Sequence, residues 1–350
     1  MAIVILVLML GLLIFVHEFG HFIAAKKVGV YVHEFALGMG PKIFSFKRKK
    51  HNDPTEYSLR LFPIGGFCAM AGEVLEDGEN LKKEEYLCNR SKWERFLILI
   101  AGVTMNTITA FIILLLQGFI YGCTEQRSIV GYAPEGYPVS TAGIEVGDRV
   151  TKINGYRVNT WDKMSLVLNL KHDSDVYEFV VKKKDGTTKT YNVTPKLEKD
   201  ETGTERKVFG IGVGDKIERG IIPTFKYAFS KLGSIISTMF LIIGSLFTGK
   251  LGLSSLSGPV GMYTIVGESA KVGFQSIMYL TAYLSLNLAV INVLPFSALD
   301  GGRILFVVIE AIKGSKVNPK VENTFHTVGF ILLMILMLYI TIQDIIRLVS

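Results

Sequence analysis

Phe15-Val16-His17-Glu18-Phe19-Gly20-His21 lies inside the first apolar run of the chain, residues 1–25, and its reading decides what kind of protein this is. His17 and His21 are four apart, so on a helix both imidazoles project from one face at metal-binding distance. Glu18 stands beside them, where a carboxylate can take a proton from water. Three ionisable side chains in a hydrocarbon-length segment are costly, and that cost asks for a chemical reason. The bland alternative is a pair of core histidines on a soluble amphipathic helix. It fits poorly, because the flanking residues are apolar all round the helix and not along one stripe.

The 350 residues are 49% hydrophobic with a mean hydropathy of +0.37, too apolar for an ordinary soluble protein. Residues 1–25 are long enough to cross a bilayer. They carry neither a basic leading region nor a small-residue cleavage site, so the segment is expected to be retained. Further spans are expected at 96–121, within 277–312 and within 326–347. Lys26, Lys27, the basic run 47–50, Arg90, Lys92 and Arg95 all fall between the first two spans. The positive-inside rule makes that loop cytoplasmic and puts the N-terminus outside. Arg303, Lys313, Lys316 and Lys320 follow the third span and agree. The net charge of +7 thus reflects topology, and no nucleic-acid partner is expected. Cys68, Cys88 and Cys123 form neither a C-x-x-C pair nor a disulfide framework, and read as free thiols without a catalytic task.

Within the cytoplasmic segment 26–95, residues 32–46 and 56–70 are strand-like and joined by a basic turn, 47–54. Residues 57–61 alternate with period two, and Pro63, Gly65 and Gly66 punctuate the run. Gly38, Gly40, Gly65 and Gly66 imply tight backbone packing. A small cytoplasmic hairpin and a sheet dipping into the membrane beside the metal both fit. From 128 to 199 the charge rises and apolar runs shorten. Asn154-Gly155 marks a tight hairpin, 161–171 reads as helix, and 176–183 and 188–195 read as strands around Asp185-Gly186. This is a small soluble α+β module on the outer side. In the linker 200–276, residues 225–247 are apolar but interrupted by Lys226, Lys231, several serines and Gly244. They are expected to form an interfacial or re-entrant helix, not a span.

Catalytic zinc takes three protein ligands and leaves a position open. The candidate for the third lies in Asn292-Val293-Leu294-Pro295-Phe296-Ser297-Ala298-Leu299-Asp300-Gly301-Gly302, where Asp300 ends an apolar run. Pro295 interrupts the helix and the glycine pair allows a turn. Asp300 as a mere cap of a following helix, 303–312, is the structural alternative. Topology favours the ligand: with four crossings, the first and third spans both enter from outside, so His21 and Asp300 reach the inner half of the membrane together. A crossing at 225–247 would separate them.

The H-E-x-x-H in the first span, the Asn-x-x-Pro and Leu-Asp-Gly elements in a late span, and the module between them resemble the site-2 protease family. The likeness is to its bacterial RseP/RasP-type intramembrane metalloproteases. Gly38-Met39-Gly40-Pro41, Pro63-Ile64-Gly65-Gly66-Phe67 and Gly72-Glu73 resemble that subgroup's membrane re-entrant β region. Residues 139–155 resemble one PDZ domain, and Ser257-Gly258-Pro259-Val260-Gly261 matches the segment before the third span. Ser297 departs from the family, which usually has a second proline there. The resemblance implies that His17, His21 and Asp300 ligate Zn2+, that Glu18 is the catalytic acid/base, and that Asn287 and Asn292 hold the substrate backbone. Helix–helix hydrogen bonding is the alternative for the two asparagines. His33, His51, His172 and His326 lack partners at ligand spacing.

The expected fold is therefore an α-helical multi-pass membrane protein with four transmembrane helices, a membrane re-entrant β region and an inserted α+β PDZ domain. Its elements are the first helix at 1–25, the β region at 26–95, the second helix at 96–121, the PDZ domain at 128–199, the linker with its interfacial helix at 200–276, and the third and fourth helices at 277–312 and 326–347. The expected activity is zinc-dependent hydrolysis of peptide bonds within transmembrane segments of single-pass proteins in the bacterial plasma membrane. The resemblance implies anti-sigma factors already cut by an upstream site-1-type protease, or remnant signal peptides, as substrates. It also implies an extracytoplasmic PDZ domain that restricts access. Two rivals remain: a catalytically silent PDZ-bearing scaffold, and a membrane zincin whose third ligand is Glu310 or Glu322.

Overall fold

The computed structural model describes residues 1–47, 55–72, 81–170, 175–199, 205–214 and 216–349. Positions 48–54 of the expected basic turn, with His51, and also Glu73 and His172 lie outside the described residues. The chain divides into two compact units, residues 1–113 with 256–350, and residues 114–255.

The first unit opens with α1 (Ala2–Val28), a 27-residue helix about 40 Å long. Gly29 ends it in the left-handed conformation, φ 84°, and Lys26 and Lys27 sit in the last turn where the helix dipole favours them. Its buried residues include a row four apart, Met9, Leu13, His17, His21 and Ala25, together with Gly11 and Gly20. The chain then forms two long antiparallel strands, β1 (Val32–Lys47) and β2 (Glu56–Met70). Each doubles back on itself. Residues 32–37 pair with 66–70 on one side and with 56–59 on the other, while 42–47 pair with 56–60. Gly38, Gly40 and Gly65 have φ of 89°, 85° and 102°, which glycine alone adopts freely, and these are the corners. The doubled sheet packs on α1 through Phe22 against Phe35 and Tyr57, with ring centroids 4.9 and 5.9 Å apart. Its far legs expose Met39, Ile43, Phe44, Leu61 and Phe62.

α2 (Lys92–Tyr121) starts at a capping box in which Ser91 and Glu94 each accept the other's backbone N–H. Gly20 lets α1 close on it, for a Cβ there would stand 2.5 Å from the Ala101 carbonyl oxygen. Farther along come α6 (Pro259–Val272), α7 (Phe274–Val293), α8 (Asp300–Lys313) and α9 (Pro319–Val349). The buried Asp344 carboxylate of α9 accepts the N–H groups of Gly258 and Gly261, at 2.8 and 2.7 Å, and so caps α6. The segment expected as one span over 277–312 is thus two helices, separated by 294–299.

The second unit contains the end of α2 and an α+β module. Its elements are α3 (Pro138–Thr141), β3 (Arg149–Ile153), β4 (Tyr156–Arg157), α4 (Trp161–Asn169), β5 (Tyr177–Lys182), β6 (Thr188–Val193), β7 (Lys196–Lys199) and β8 (Glu205–Val208). The sheet order is β4-β3-β5-β6, with β7–β8 as a separate ribbon. Asn154 and Gly155 both have positive φ, 47° and 80°, the primed turn that matches strand twist. The module reaches beyond 128–199: Cys123 bridges to Glu218, Tyr132 to Gly212, and Phe209 is buried in the core against Tyr177.

α5 (Ile221–Phe247) closes this unit as one unbroken helix. Five described helices, α1, α2, α5, α7 and α9, are long and apolar enough to cross a membrane, where the sequence reading counted four. Two of the polar residues that lowered the apolarity of α5, Lys231 and Ser234, have partners in the module. Lys231 pairs with Asp162 at 2.7 Å, and the Ser234 hydroxyl meets Thr160 and Asp162 at 2.7 and 2.6 Å.

Candidate metal centre

Helix α1 presents His17 and His21 one turn apart, both buried. The third group arrives across 279 residues of sequence, because α7 stops at Val293 and the chain turns back at Pro295. A Cβ at Gly301 would collide with the Leu294 carbonyl, and one at Gly302 would lie 2.5 Å from that of Phe296. Glycine at both positions therefore lets the turn close and starts α8 with Asp300 aimed at α1.

The His17 and His21 Nε2 atoms lie 2.9 and 3.2 Å from Asp300 Oδ2 and 3.2 Å from each other. Ligands about 2.05 Å from a tetrahedral zinc stand about 3.3 Å apart, so the three atoms already occupy one face of such a tetrahedron. A zinc held by these three would keep its fourth position for water or substrate. His21 Nδ1–H donates to the Ile98 carbonyl at 2.8 Å, which leaves Nε2 as the atom that could ligate a metal. Among the described residues these three side chains form the metal-competent cluster.

Glu18 and Asp300 line two cavities at the site, of about 460 and 240 Å³. The larger is bordered by Phe67, Cys68, Ala69 and Met70, four consecutive residues of β2. Consecutive residues point to opposite faces of a strand, so the leg 66–70 meets this cavity with its edge. A Cβ at Gly66 would stand 3.7 Å from Glu18 Cγ. The smaller cavity is lined by Leu288 and Asn292 of α7, and Asn292 Nδ2 is 3.5 Å from His17 Nε2. Asn287, five positions earlier and about 140° round the helix, lines neither cavity.

The carboxylates considered as alternative ligands are engaged elsewhere. Glu310 is buried in an ion pair with Arg95 at 2.6 Å, and its carbonyl accepts from Lys92 Nζ. Glu322 lies 4.0 Å from His326. His326 lines the larger cavity, and its Nδ1–H donates to the carbonyl of Ser297, the position where a proline was expected. Among the described residues no disulfide joins Cys68, Cys88 or Cys123. Sequence reasoning missed two residues of α2. Gly102 lies beneath the imidazoles, and Asn106, fully buried, has its amide 3.3 Å from His17 Nδ1. A glycine and an asparagine four apart in an apolar span were the available signal.

A profile of peptidase family M50 matches residues 5–336. A relative from Fusobacterium nucleatum subsp. nucleatum, provisionally named a zinc metalloprotease, is 38% identical over 348 residues, 99% of this chain and 98% of its own. The zinc metalloprotease RasP of Bacillus licheniformis is 30% identical over 421 residues, 98% of each chain. The regulator of sigma-W protease RasP of Bacillus subtilis is 30% identical over 420 residues, 98% of this chain and 97% of its own. The family match begins before His17 and ends beyond Asp300, and on it the chain belongs to peptidase family M50, the site-2 proteases, as a zinc metalloprotease.

Proposed function

We propose that His17, His21 and Asp300 hold the zinc, and that the enzyme cleaves peptide bonds within transmembrane segments of single-pass proteins in the bacterial plasma membrane. The observation that carries this is the convergence of three potential ligand atoms, all within 4.8 Å of one another. Two are on α1, which is long and apolar enough to cross a bilayer, and one is at the start of α8, which follows another such helix, α7. Bound zinc supplies Lewis acidity toward the scissile carbonyl. Glu18 takes the proton of the attacking water and returns it to the leaving amine. The Asn292 amide donates to the developing oxyanion. The substrate-holding role expected of the two asparagines is kept for Asn292 alone.

A substrate helix hides its peptide bonds and must be drawn out before it is cut. Its freed backbone then needs partners in a poorly hydrated place. The edge of leg 66–70 offers them by strand addition beside Glu18. In a Glu18→Gln background, a photo-crosslinker at Ala69 is expected to capture a single-pass substrate in membranes, and one at Ser45, on the far leg, is not. Equal capture at both positions would refute strand addition at this edge.

The same reading keeps four crossings, with the 123–218 module, a PDZ-like domain, outside. α5 meets the module along its length, from Lys231 and Ser234 to Leu241, and just beyond it Lys250 meets Tyr156. Its other face exposes Ile222, Phe225, Phe229, Phe240 and Phe247. Such a helix suits the membrane interface, polar face on a water-exposed domain and aromatic face toward lipid. By analogy with the sigma-W regulation named for the Bacillus subtilis relative, an anti-sigma factor first cut by an upstream site-1-type protease is the leading substrate class. Remnant signal peptides are the second.

The module then acts as a filter against uncut ectodomains. Its ends meet where Cys123 N–H donates to the Glu218 carbonyl at 2.8 Å, so 123–218 can be replaced by a short linker. The excised enzyme is expected to cut substrates that still carry their ectodomain. Unchanged selectivity counts against the filter.

A further inference from the structure

Helix α2 carries a stripe at positions 98, 102 and 106, one residue per turn, against the two ligand histidines. The Ile98 carbonyl accepts from His21 Nδ1–H. Gly102 is bare because a Cβ there would stand 2.5 Å from His21 Nε2 and 2.9 Å from His17 Nε2. Asn106 faces His17 Nδ1, as Ile98 faces His21 Nδ1. The Asn106 backbone carbonyl is itself held by the Ser285 hydroxyl of α7 at 2.7 Å, seven residues before Asn292.

The amide of Asn106 lies with Nδ2 3.3 Å from His17 Nδ1, while its Oδ1 is buried with no hydrogen-bond partner among the described residues. A histidine that ligates through Nε2 carries its proton on Nδ1, so in that state Nδ1 must donate. Two donors would then face each other. The nitrogen and oxygen of an amide have nearly the same shape, and a half-turn about Cβ–Cγ exchanges them at no steric cost. That turn puts the orphaned Oδ1 opposite Nδ1–H.

We infer that Asn106 is a positioning residue for the metal centre: its Oδ1 accepts the His17 Nδ1 proton, fixing the tautomer and ring plane that present Nε2 to zinc. This rests on the proposal that His17 is a ligand, which a His17→Ala variant tests separately. Zinc held as tightly without His17 would remove the ligand assignment itself.

The test is zinc affinity of the full-length protein in detergent, read by competition with a chelator. Asn106→Leu keeps the volume and removes the acceptor, and should weaken zinc binding ~10–100-fold, the usual cost of losing a ligand's hydrogen-bond partner. Asn106→Asp restores an acceptor at the same reach and should recover the affinity. Wild-type affinity in Asn106→Leu, or equal loss in both variants, overturns the inference. Nitrogen-15 histidine spectra of the unsubstituted, zinc-loaded protein decide it without any variant. They should show His17 protonated at Nδ1, and a bare Nδ1 overturns the proposal.

Discussion

Glu18→Gln is expected to bind zinc as the parent does and to lose at least the ~10²–10⁴-fold in kcat/KM that general acid–base catalysis typically supplies. The substitution keeps the size and polarity of the side chain, so α1, the cavities and the three-atom cluster stay as they are. What disappears is the carboxylate proposed to accept a proton from water and hand it on. Glu18 lines both cavities at the site, on the same helix as His17 and His21 and beside the strand edge at Gly66. The measurement is cleavage of a single-pass substrate in proteoliposomes together with zinc content. Retained activity would remove Glu18 from the mechanism. Loss of zinc along with activity would make it a structural residue.

Asp300→Ala should cost zinc itself. It removes one of the three proposed ligand atoms, so its effect on affinity should exceed the ~10–100-fold typical of an outer partner such as the one proposed for Asn106. The His17 and His21 Nε2 atoms remain 3.2 Å apart, but two imidazoles leave half of a tetrahedron unfilled. Glu310→Gln is the matched control, because Glu310 was the rival third ligand. It should leave zinc stoichiometry unchanged, although it abandons Arg95 in a buried pair and so destabilises the fold. Zinc lost from Glu310→Gln and kept in Asp300→Ala would reverse the assignment.

Local chemistry made part of this legible. The H-E-x-x-H spacing needs only helical geometry to put two imidazoles together. Pro295 with Gly301-Gly302 announces a break wherever the chain folds, and Asn154-Gly155 sits in the turn it demanded. The doubled β region was half legible. Strands at 32–46 and 56–70 are found as expected, but the return of each strand depends on positive φ at Gly38, Gly40 and Gly65. A glycine permits that conformation without requiring it.

Asn106 and Gly102 escaped notice because an apolar span contains many residues that could face anything. The same holds for α1, whose sequence is apolar on every side, so that no periodicity reveals the buried row Met9, Leu13, His17, His21, Ala25. In α5 lysines and serines lowered the apolarity, but that Lys231 and Ser234 have partners is invisible without Thr160 and Asp162.

The sequence by itself determined that this protein carries two histidines and a glutamate in a membrane-length helix, and that an aspartate follows a helix break far downstream. Both are consequences of short-range geometry, in which side-chain spacing and backbone restriction act over a few residues. Only the tertiary structure decided that Asp300 lies within 3.2 Å of both imidazoles, that leg 66–70 presents its edge to Glu18, and that α2 supplies the floor beneath the histidines. In a lipid-exposed bundle, apolar surface faces lipid and protein alike, so facing helices are selected by close packing at glycines and by the few polar groups that must find partners. Those partners lie 72 residues away for Ser234 and Asp162 and 279 for His21 and Asp300.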